Sequence, residues 1–552
     1  MNESQKNQYI SSTIVNTASE ITLISQHLTG LDKLLKIAIY YISSESKDPS
    51  EINETIQGLP SSSTIGELPN DFTNSELYTL MSDIFQEQRD VKYTNRSLHE
   101  LQKAVNTRTH TPSQGFYEIN KSARGLDVVQ KGVIGLPLPT EWNQIGSSIS
   151  GSGLGSGSNI SLSGDGKRIA FTTPEDLNAT GHVKVYEFIG NTWVQIGSTI
   201  QGELEQDASF GLFTSLSMDG NTVAIGWPAH QTTGDSTQED YRAGHVKIYK
   251  YNCHQNTWIQ VGSNINGVIF GRLGSWLQLS NNGLKVIIGE PNFGDDTLLI
   301  EGTTDPQPFF GGIMRVFEYN GLDWVKLGSD IIGQREFDKF GGCVTISNNG
   351  LVVAGSSIYW DSSSTGTNED WSGHTRVYEF KCGDWVQLGT SIIGEAVIDN
   401  SGQSIYLSGD GKRIAISAPN NDGDGEGKTN NDDFQNSYNS GHVRVFEYNG
   451  TDWVQLGSDI NNENQSDGSM GIPVCLSEDG NILAMGVPAS ENNTGSIKAF
   501  EYDGTEWVQL GDTLEGASSS EIFGFSISLS EDGRTLASGN PGSNTVSMYE
   551  LK

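Results

Sequence analysis

The chain has 552 residues, of which 35% are hydrophobic, 66 are glycine and only 15 are proline, a composition typical of a folded protein with many tight turns and unlike a collagen-like or Pro-rich chain. Its formal net charge is −35, and residues 1–140 hold 12 basic and 16 acidic side chains, which leaves 21 basic and 52 acidic side chains for the remainder. This acidic remainder argues against a nucleic-acid partner, because contacts to phosphate require basic surface. It is compatible with a solvated acidic surface, with cation binding or with a basic partner.

The sequence shows neither a secretion signal nor a membrane span. The N-terminus is polar and lacks the basic-then-apolar order of a signal peptide. The most apolar stretch, Leu34 to Ile42, contains Lys36 and is too short to cross a bilayer. The four cysteines are widely separated and show no CxxC or Cys/His ligand spacing, so they indicate neither a zinc site nor a disulfide framework. We therefore expect cytoplasmic synthesis and no transmembrane segment, and the final location of the protein stays open.

The N-terminal segment, residues 1–131, is predicted to be α-helical and coiled-coil-like. Apolar side chains recur in alternating steps of four and three over residues 10–42, which is the heptad pattern of a coiled coil. A second helix is expected after a capping box formed by Thr73 and Glu76, with a heptad run over residues 77–105. A further short helix is predicted near Ser122–Lys131. The two heptad runs fit either a helical hairpin within one chain or an anchoring segment that forms a homo-oligomer.

The remainder, residues 132–552, repeats one pattern seven times at intervals of 51 to 68 residues. Each repeat contains a Trp that opens the pattern W-x-[QK]-[ILV]-G. A separate Gly follows later in the repeat, and six residues after it comes a Ser in the pattern Ser-x-[Asp/Asn]-Gly. The Trp residues are Trp142, Trp193, Trp258, Trp324, Trp385, Trp453 and Trp507. The Ser residues are Ser163, Ser217, Ser280, Ser347, Ser408, Ser477 and Ser530. Short alternating strands at such a period predict a seven-bladed β-propeller with four-stranded blades.

The order of the strands predicts how the ring closes. The Trp strand at Trp142–Gly146 precedes the first complete set of three strands, whereas the last set ends at Leu551 with no Trp strand after it. We therefore expect Trp142–Gly146 to pair beside Val546–Tyr549, because an unclosed array would expose two open edges. The Trp side chains are expected to pack between blades, and each Ser to bond backbone N–H groups of its turn.

No enzyme is indicated. Four histidines recur at the same point of the third strand in their repeats, so we interpret them as residues of the repeat and not as a converging site: His182, His245, His374 and His442. The chain contains no G-x-S-x-G, P-loop or H-E-x-x-H motif in a suitable context.

The repeat resembles a known family. Phe210-Gly211 and Phe523-Gly524 before the first strand, and Ile225-Gly-Trp-Pro228 at the end of the second, look like FG-GAP repeats. That resemblance, over about residues 142–551, implies the seven-bladed propeller of integrin α subunits. The combined repeat is also similar to long repeat proteins of giant viruses and marine bacteria. Integrin-type repeats often chelate calcium at D-x-[DN]-x-D-G loops, whereas the turns here carry one acid at most, which makes calcium improbable at these turns.

Long loops between the second and third strands are the expected binding surface, because repeat proteins place recognition in the loops that vary on one face. They carry aromatic residues that we predict to bind a protein or glycan surface: Tyr241, Phe309, Phe310, Tyr359, Trp360 and Trp371. The alternative is that these rings cover the blades beneath them. One loop alternates acidic residues with glycines and is a candidate Ca²⁺ site: Asp422, Asp424, Glu426, Asp432 and Asp433.

Together these features predict a non-enzymatic structural or adhesion protein that displays a propeller as a binding head on a helical anchor. The resemblance to giant-virus proteins makes a virion component the suspected setting. Two alternatives stay open: a lectin-like or Ca²⁺-dependent binding module, and an intracellular scaffold that docks other proteins.

Overall fold

The computed structural model describes most of the repeat region and a short part of the N-terminal segment. Its described residues are 116–122, 125–131, 141–174, 181–202, 210–229, 243–268, 271–292, 311–335, 338–359, 371–421, 441–461 and 473–552. The chain divides into two compact units, Met1–Leu138 and Pro139–Lys552. The predicted coiled-coil runs at 10–42 and 77–105 lie outside the described residues.

The described part of the first unit is a β-hairpin. Strand β1 (Phe116–Ser122) pairs antiparallel with β2 (Gly125–Lys131), with Ser122 opposite Gly125 and Phe116 opposite Lys131. The predicted short helix near Ser122–Lys131 is therefore wrong. The β-branched residues Ile119, Val128 and Val129 favour extended backbone, and each segment gives the other the hydrogen-bonding partner that a single strand lacks.

The second unit is a seven-bladed β-propeller, as predicted. Each blade is an antiparallel sheet whose strands lie in chain order in blades 1 to 6, and the first strands of neighbouring blades contact one another in a closed ring. We number the blades 1 to 7 by the order of these first strands. The first strands are Ile160–Leu162, Phe213–Leu216, Trp276–Leu279, Cys343–Ile346, Ile405–Leu407, Val474–Leu476 and Ser526–Leu529. The second strands are Arg168–Thr173, Thr222–Trp227, Lys285–Glu290, Val352–Ser357, Arg413–Ala418, Ile482–Val487 and Thr535–Asn540.

The two outer strands complete each blade. The third strands are His182–Ile189, His245–Asn252, Ile313–Tyr319, His374–Lys381, His442–Tyr448, Ser496–Tyr502 and Thr545–Leu551. The fourth strands of blades 1 to 6 are Thr192–Gln201, Thr257–Gln260, Trp324–Lys326, Asp384–Gln387, Trp453–Gln455 and Trp507–Gln509. Short segments that follow in blades 2 to 6 also pair with the third strand: Ile265–Asn266, Ile331–Ile332, Ile392–Ile393, Ile460–Asn461 and Leu514–Glu515. The helix α1, Ser490–Asn493, lies between the second and third strands of blade 6.

The ring closes as the strand order predicted. The strand Trp142–Gln144 is the fourth strand of blade 7 and pairs with Thr545–Leu551, with Trp142 opposite Leu551. The segment Ile149–Ser150 pairs with the same strand. The N-terminal strand of the unit is thus hydrogen-bonded into the C-terminal blade, which removes the two free sheet edges of an open array.

The Trp residues pack between blades, and each indole N–H donates to a backbone carbonyl of the preceding blade. Trp193 donates to Ile145 O at 3.2 Å and Trp258 donates to Ile196 O at 3.2 Å. The series continues around the ring until Trp142 donates to Leu510 O at 3.0 Å. Each acceptor carbonyl lies three residues after the Trp of the preceding blade. The seven hydrogen bonds together form a closed ring around the propeller.

The Ser–x–Asp/Asn–Gly turns form a second ring. In blade 1 the Ser163 hydroxyl donates to Asp165 Oδ1 at 2.7 Å and accepts from Arg168 N at 2.9 Å, and the other six turns repeat this arrangement. The residue after each Ser bonds its equivalent in the next blade through its backbone N–H, from Gly164 to Met218 and finally from Glu531 back to Gly164. These turns therefore hold the seven blades together at one end of the propeller.

Candidate functional site

The long loops emerge at the opposite end of the propeller from the Ser–x–Asp/Asn–Gly turns. They join the ends of second strands to the starts of third strands, and the connections from one blade to the next lie at the same end because neighbouring strands are antiparallel. Most of the predicted site residues lie in segments outside the described residues. They are Tyr241, Phe309, Phe310, Trp360, Asp422, Asp424, Glu426, Asp432 and Asp433.

Two of the predicted aromatic residues are described, and the structure brings them together. Tyr359 and Trp371 are 38% and 39% exposed, and their rings meet edge to face with centroids 5.9 Å apart. The ammonium of Lys339, which the sequence did not single out, lies 4.6 Å from the centre of the Tyr359 ring. An exposed aromatic pair beside a cation is a surface that offers both apolar contact area and a donor. We call Lys339, Tyr359 and Trp371 the aromatic patch.

Trp371 occupies a backbone conformation that a bulky side chain rarely adopts. Its φ is +35°, and the equivalent residue of blade 6 is Asn493 with φ +62°. The backbone carbonyls of the two residues make equivalent hydrogen bonds to the connection that leads to the next blade. Trp371 O accepts from Asn400 N at 3.1 Å, and Asn493 O accepts from Ile522 N at 2.9 Å. Asparagine tolerates the left-handed region, whereas a tryptophan there is strained by about 1–2 kcal/mol. Strain of this kind persists where the surroundings enforce it and is concentrated at binding sites.

Buried carboxylates fix the two blade connections that border the aromatic patch. Asp338, next to Lys339, accepts from Arg335 N at 2.7 Å and from Gln334 N at 3.2 Å. Asp399 accepts from Ala396 N at 2.8 Å and from Asn421 Nδ2 at 3.2 Å. Burial raises the pKa of Asp338 and of Asp399 to about 6. The backbone at both connections is therefore anchored to the interior through side chains that the sequence analysis did not identify.

Asn400 joins the two halves of the patch. Its side-chain amide donates to Ile358 O at 3.1 Å, next to Tyr359, and its backbone N–H donates to Trp371 O. Its φ of +51° lies in the left-handed region that asparagine tolerates. A single buried residue thus sets the spacing of the two exposed rings. No motif in the sequence marks Asn400, because its partners lie 42 and 29 residues away along the chain.

The four recurrent histidines lie where the sequence placed them, at the first residue of the third strand in blades 1, 2, 4 and 5. All four are at most 4% exposed. Burial lowers the pKa of His374 to about 3 and that of His442 to about 4, so both rings are neutral at pH 7. Because they belong to separate blades, they do not form one site.

Among the described residues, no helix is both long and apolar enough to cross a membrane. Comparison of the chain with protein families and with curated proteins found no match. The fold and the geometry of its loop end are therefore the basis for a functional assignment.

Proposed function

We propose that this protein is a non-enzymatic binding protein of the structural or adhesion type, in which the propeller is the binding head and the loop end is its recognition surface. The observation that carries the proposal is the aromatic patch. Trp371 is exposed although its φ of +35° is unfavourable and the equivalent position of blade 6 is the unstrained Asn493. A strained, exposed tryptophan next to a second ring and a cation is the kind of residue that dominates binding energy at interfaces.

The N-terminal segment is proposed to act as the anchor. The heptad runs at 10–42 and 77–105 support self-association, which would present several propellers at once and raise avidity without new contacts. The resemblance of the combined repeat to long repeat proteins of giant viruses supports a virion component as the setting.

A lectin-like role is the second candidate. Sugar rings stack their C–H faces on exposed tryptophan and tyrosine, and the patch offers both rings with the Lys339 ammonium nearby. The acidic segment that contains Asp422 and Asp433 supports a Ca²⁺-dependent version of this role by ligand type.

The test compares full-length wild-type protein with Trp371→Asn, a change to the residue that blade 6 carries at this position. Both proteins are applied to a glycan array, with Ca²⁺ and with EDTA, and to a protein array. We expect each specific signal to fall by a factor of about 30 in the variant, because losing an aromatic hot spot costs about 2 kcal/mol. Trp193→Phe, in the inter-blade ring, is the control and is expected to leave the signals unchanged.

The outcomes separate the candidates. A fall of the glycan signals in Trp371→Asn supports the lectin-like role. If the signals that remain in the variant no longer respond to EDTA, the bound ion is linked to the patch. Loss of protein-array signals supports the adhesion or scaffold role. Signals of equal strength in wild type and variant would contradict the assignment of the patch as the binding surface.

A further inference from the structure

Blade 5 differs from the other described blades in one set of three side chains at the loop end. Glu395 comes from the connection between blades 4 and 5, His442 begins the third strand of blade 5, and Asp459 precedes the short segment Ile460–Asn461 that pairs with that strand. One nitrogen of His442 and one oxygen of each carboxylate lie within 4.8 Å of one another. His442 Nδ1 is 3.9 Å from Glu395 Oε2 and 3.9 Å from Asp459 Oδ2.

His442 is buried beside both carboxylates. The side chain is 1% exposed, and Nε2 has no partner among the described residues. Nδ1 points at the two carboxylates from a distance too long for a hydrogen bond to either. A buried ring nitrogen that faces two carboxylates at these distances leaves room for an ion in contact with all three groups.

Neighbouring side chains orient both carboxylates toward the histidine. Arg444 Nη1 lies 3.2 Å from Glu395 Oε1, which leaves Oε2 on the side of the ring. Gln455 Nε2 donates to Asp459 Oδ1 at 2.6 Å, which leaves Oδ2 on the same side. Holding one oxygen of a carboxylate so that the other faces a common point is how outer residues position metal ligands.

We propose that Glu395, His442 and Asp459 bind one first-row transition-metal dication of the Zn²⁺ class. Nitrogen and carboxylate ligands at about 2.0–2.2 Å in tetrahedral geometry are about 3.4 Å apart, so the 3.9 Å from the ring to each carboxylate must close by about 0.5 Å, and the three ligand atoms start within 4.8 Å of one another. Imidazole favours zinc and its neighbours over calcium, which takes six to eight oxygens. The carboxylate side chains are 32% and 28% exposed, so the position facing solvent is open to water or a ligand.

The equivalent positions of the other blades support a specific site rather than a feature of the repeat. Blade 4 carries Gln334, His374 and Ser391 at these positions, a set without a carboxylate. In blade 1 the corresponding serine, Ser152, makes a hydrogen bond of 3.2 Å with His182 Nε2. The histidine therefore recurs for structural reasons, and only in blade 5 do two carboxylates accompany it at described positions.

The test uses full-length protein freed of metal with EDTA and then desalted. The variant Glu395→Gln/Asp459→Ser gives blade 5 the residues of blade 4 and is expected to fold normally. The control Glu501→Gln/Asp512→Ser removes two acidic charges from exposed positions of blade 6. Co²⁺ is titrated first, because its visible absorption reports inner-sphere nitrogen and oxygen ligands, and Zn²⁺ affinity is then measured by competition with a chromophoric chelator.

We expect wild type and control to bind one equivalent with visible Co²⁺ bands, and the blade 5 variant to bind at least a hundredfold more weakly. Thermal melts of the metal-free proteins check that all three are folded, and His442→Asn, which keeps both carboxylates, should lose the Co²⁺ bands as well. Weak binding that is the same in all proteins would reflect the general acidity of the chain. A wild type that shows no tight equivalent, or a blade 5 variant that retains it, would overturn the proposal. Neither outcome affects the aromatic patch, whose test is independent.

Discussion

Replacing Trp142 by alanine tests whether the ring is closed in solution. Trp142 belongs to the strand that joins the two ends of the propeller, is 9% exposed and donates to Leu510 O at 3.0 Å. Truncation of a buried tryptophan costs about 3–5 kcal/mol, and the lost hydrogen bond is part of that cost. We therefore expect the free energy of unfolding to fall by about 4 kcal/mol.

The corresponding shift in melting temperature is small because the unit is large. An unfolding entropy of about 2.1 cal/mol/K per residue over the roughly 410 residues of Pro139–Lys552 gives about 0.9 kcal/mol/K. A loss of about 4 kcal/mol thus lowers Tm by about 4–5 °C. Differential scanning calorimetry at one scan rate resolves a difference of this size.

Trp324→Ala is the matched control, because Trp324 is 8% exposed and donates to Val261 O at 2.9 Å between two blades that are adjacent in the chain. If the ring is closed, the two variants lower Tm by similar amounts. A Trp142→Ala variant that melts within 1 °C of wild type, while Trp324→Ala is clearly destabilised, would show that the seam is open and refute the closure. Trp142→Phe, which keeps most of the packing, should lower Tm by about 1–2 °C through the lost hydrogen bond.

Three further outcomes are expected. Gly197→Ala should lower the free energy of unfolding by about 2–4 kcal/mol, because φ is +70° and the added Cβ would lie 2.5 Å from Trp258 Cδ1. Gly190→Ala, where φ is +56° and the surrounding space is open, should lower it by only about 1–2 kcal/mol. Equal melting temperatures of the two variants would contradict this expectation. Burial lowers the pKa of His374 to about 3 in the folded protein. The contribution of the neutral ring to the free energy of unfolding is therefore complete above pH 6.5 and is lost as the pH falls toward 3. Urea unfolding should therefore show the stability gap between wild type and His374→Ser narrowing by roughly 2 kcal/mol from pH 7 to pH 5, and a constant gap would argue against a neutral buried ring. Light scattering of the full chain and of residues 132–552 should give an oligomer and a monomer, and two monomers would show that the heptad runs do not associate between chains.

The sequence by itself determined the architecture of the repeat region. Seven copies of one pattern predict seven similar units, and the spare strand at Trp142 together with the missing strand after Leu551 predicts the seam between them. These inferences succeed because each repeat must bury its faces against its neighbours, so residues such as Ser163 and Gly197 recur wherever the same turn or contact recurs. The hairpin at 116–131 was missed because its stability depends on pairing between two segments and not on either segment alone.

Only the tertiary structure decided which side chains meet at the loop end. Tyr359 and Trp371 were chosen as loop aromatics, but their contact with each other and with Lys339 arises because the two ends of one loop of blade 4 meet the connection from blade 3. Glu395 and Asp459 are 64 residues apart and were not singled out, and His442 was interpreted as one more residue of the repeat. Periodicity reports what the blades share, whereas a site is formed by what differs between them, and those differences meet only when the ring brings distant parts of the chain to one end.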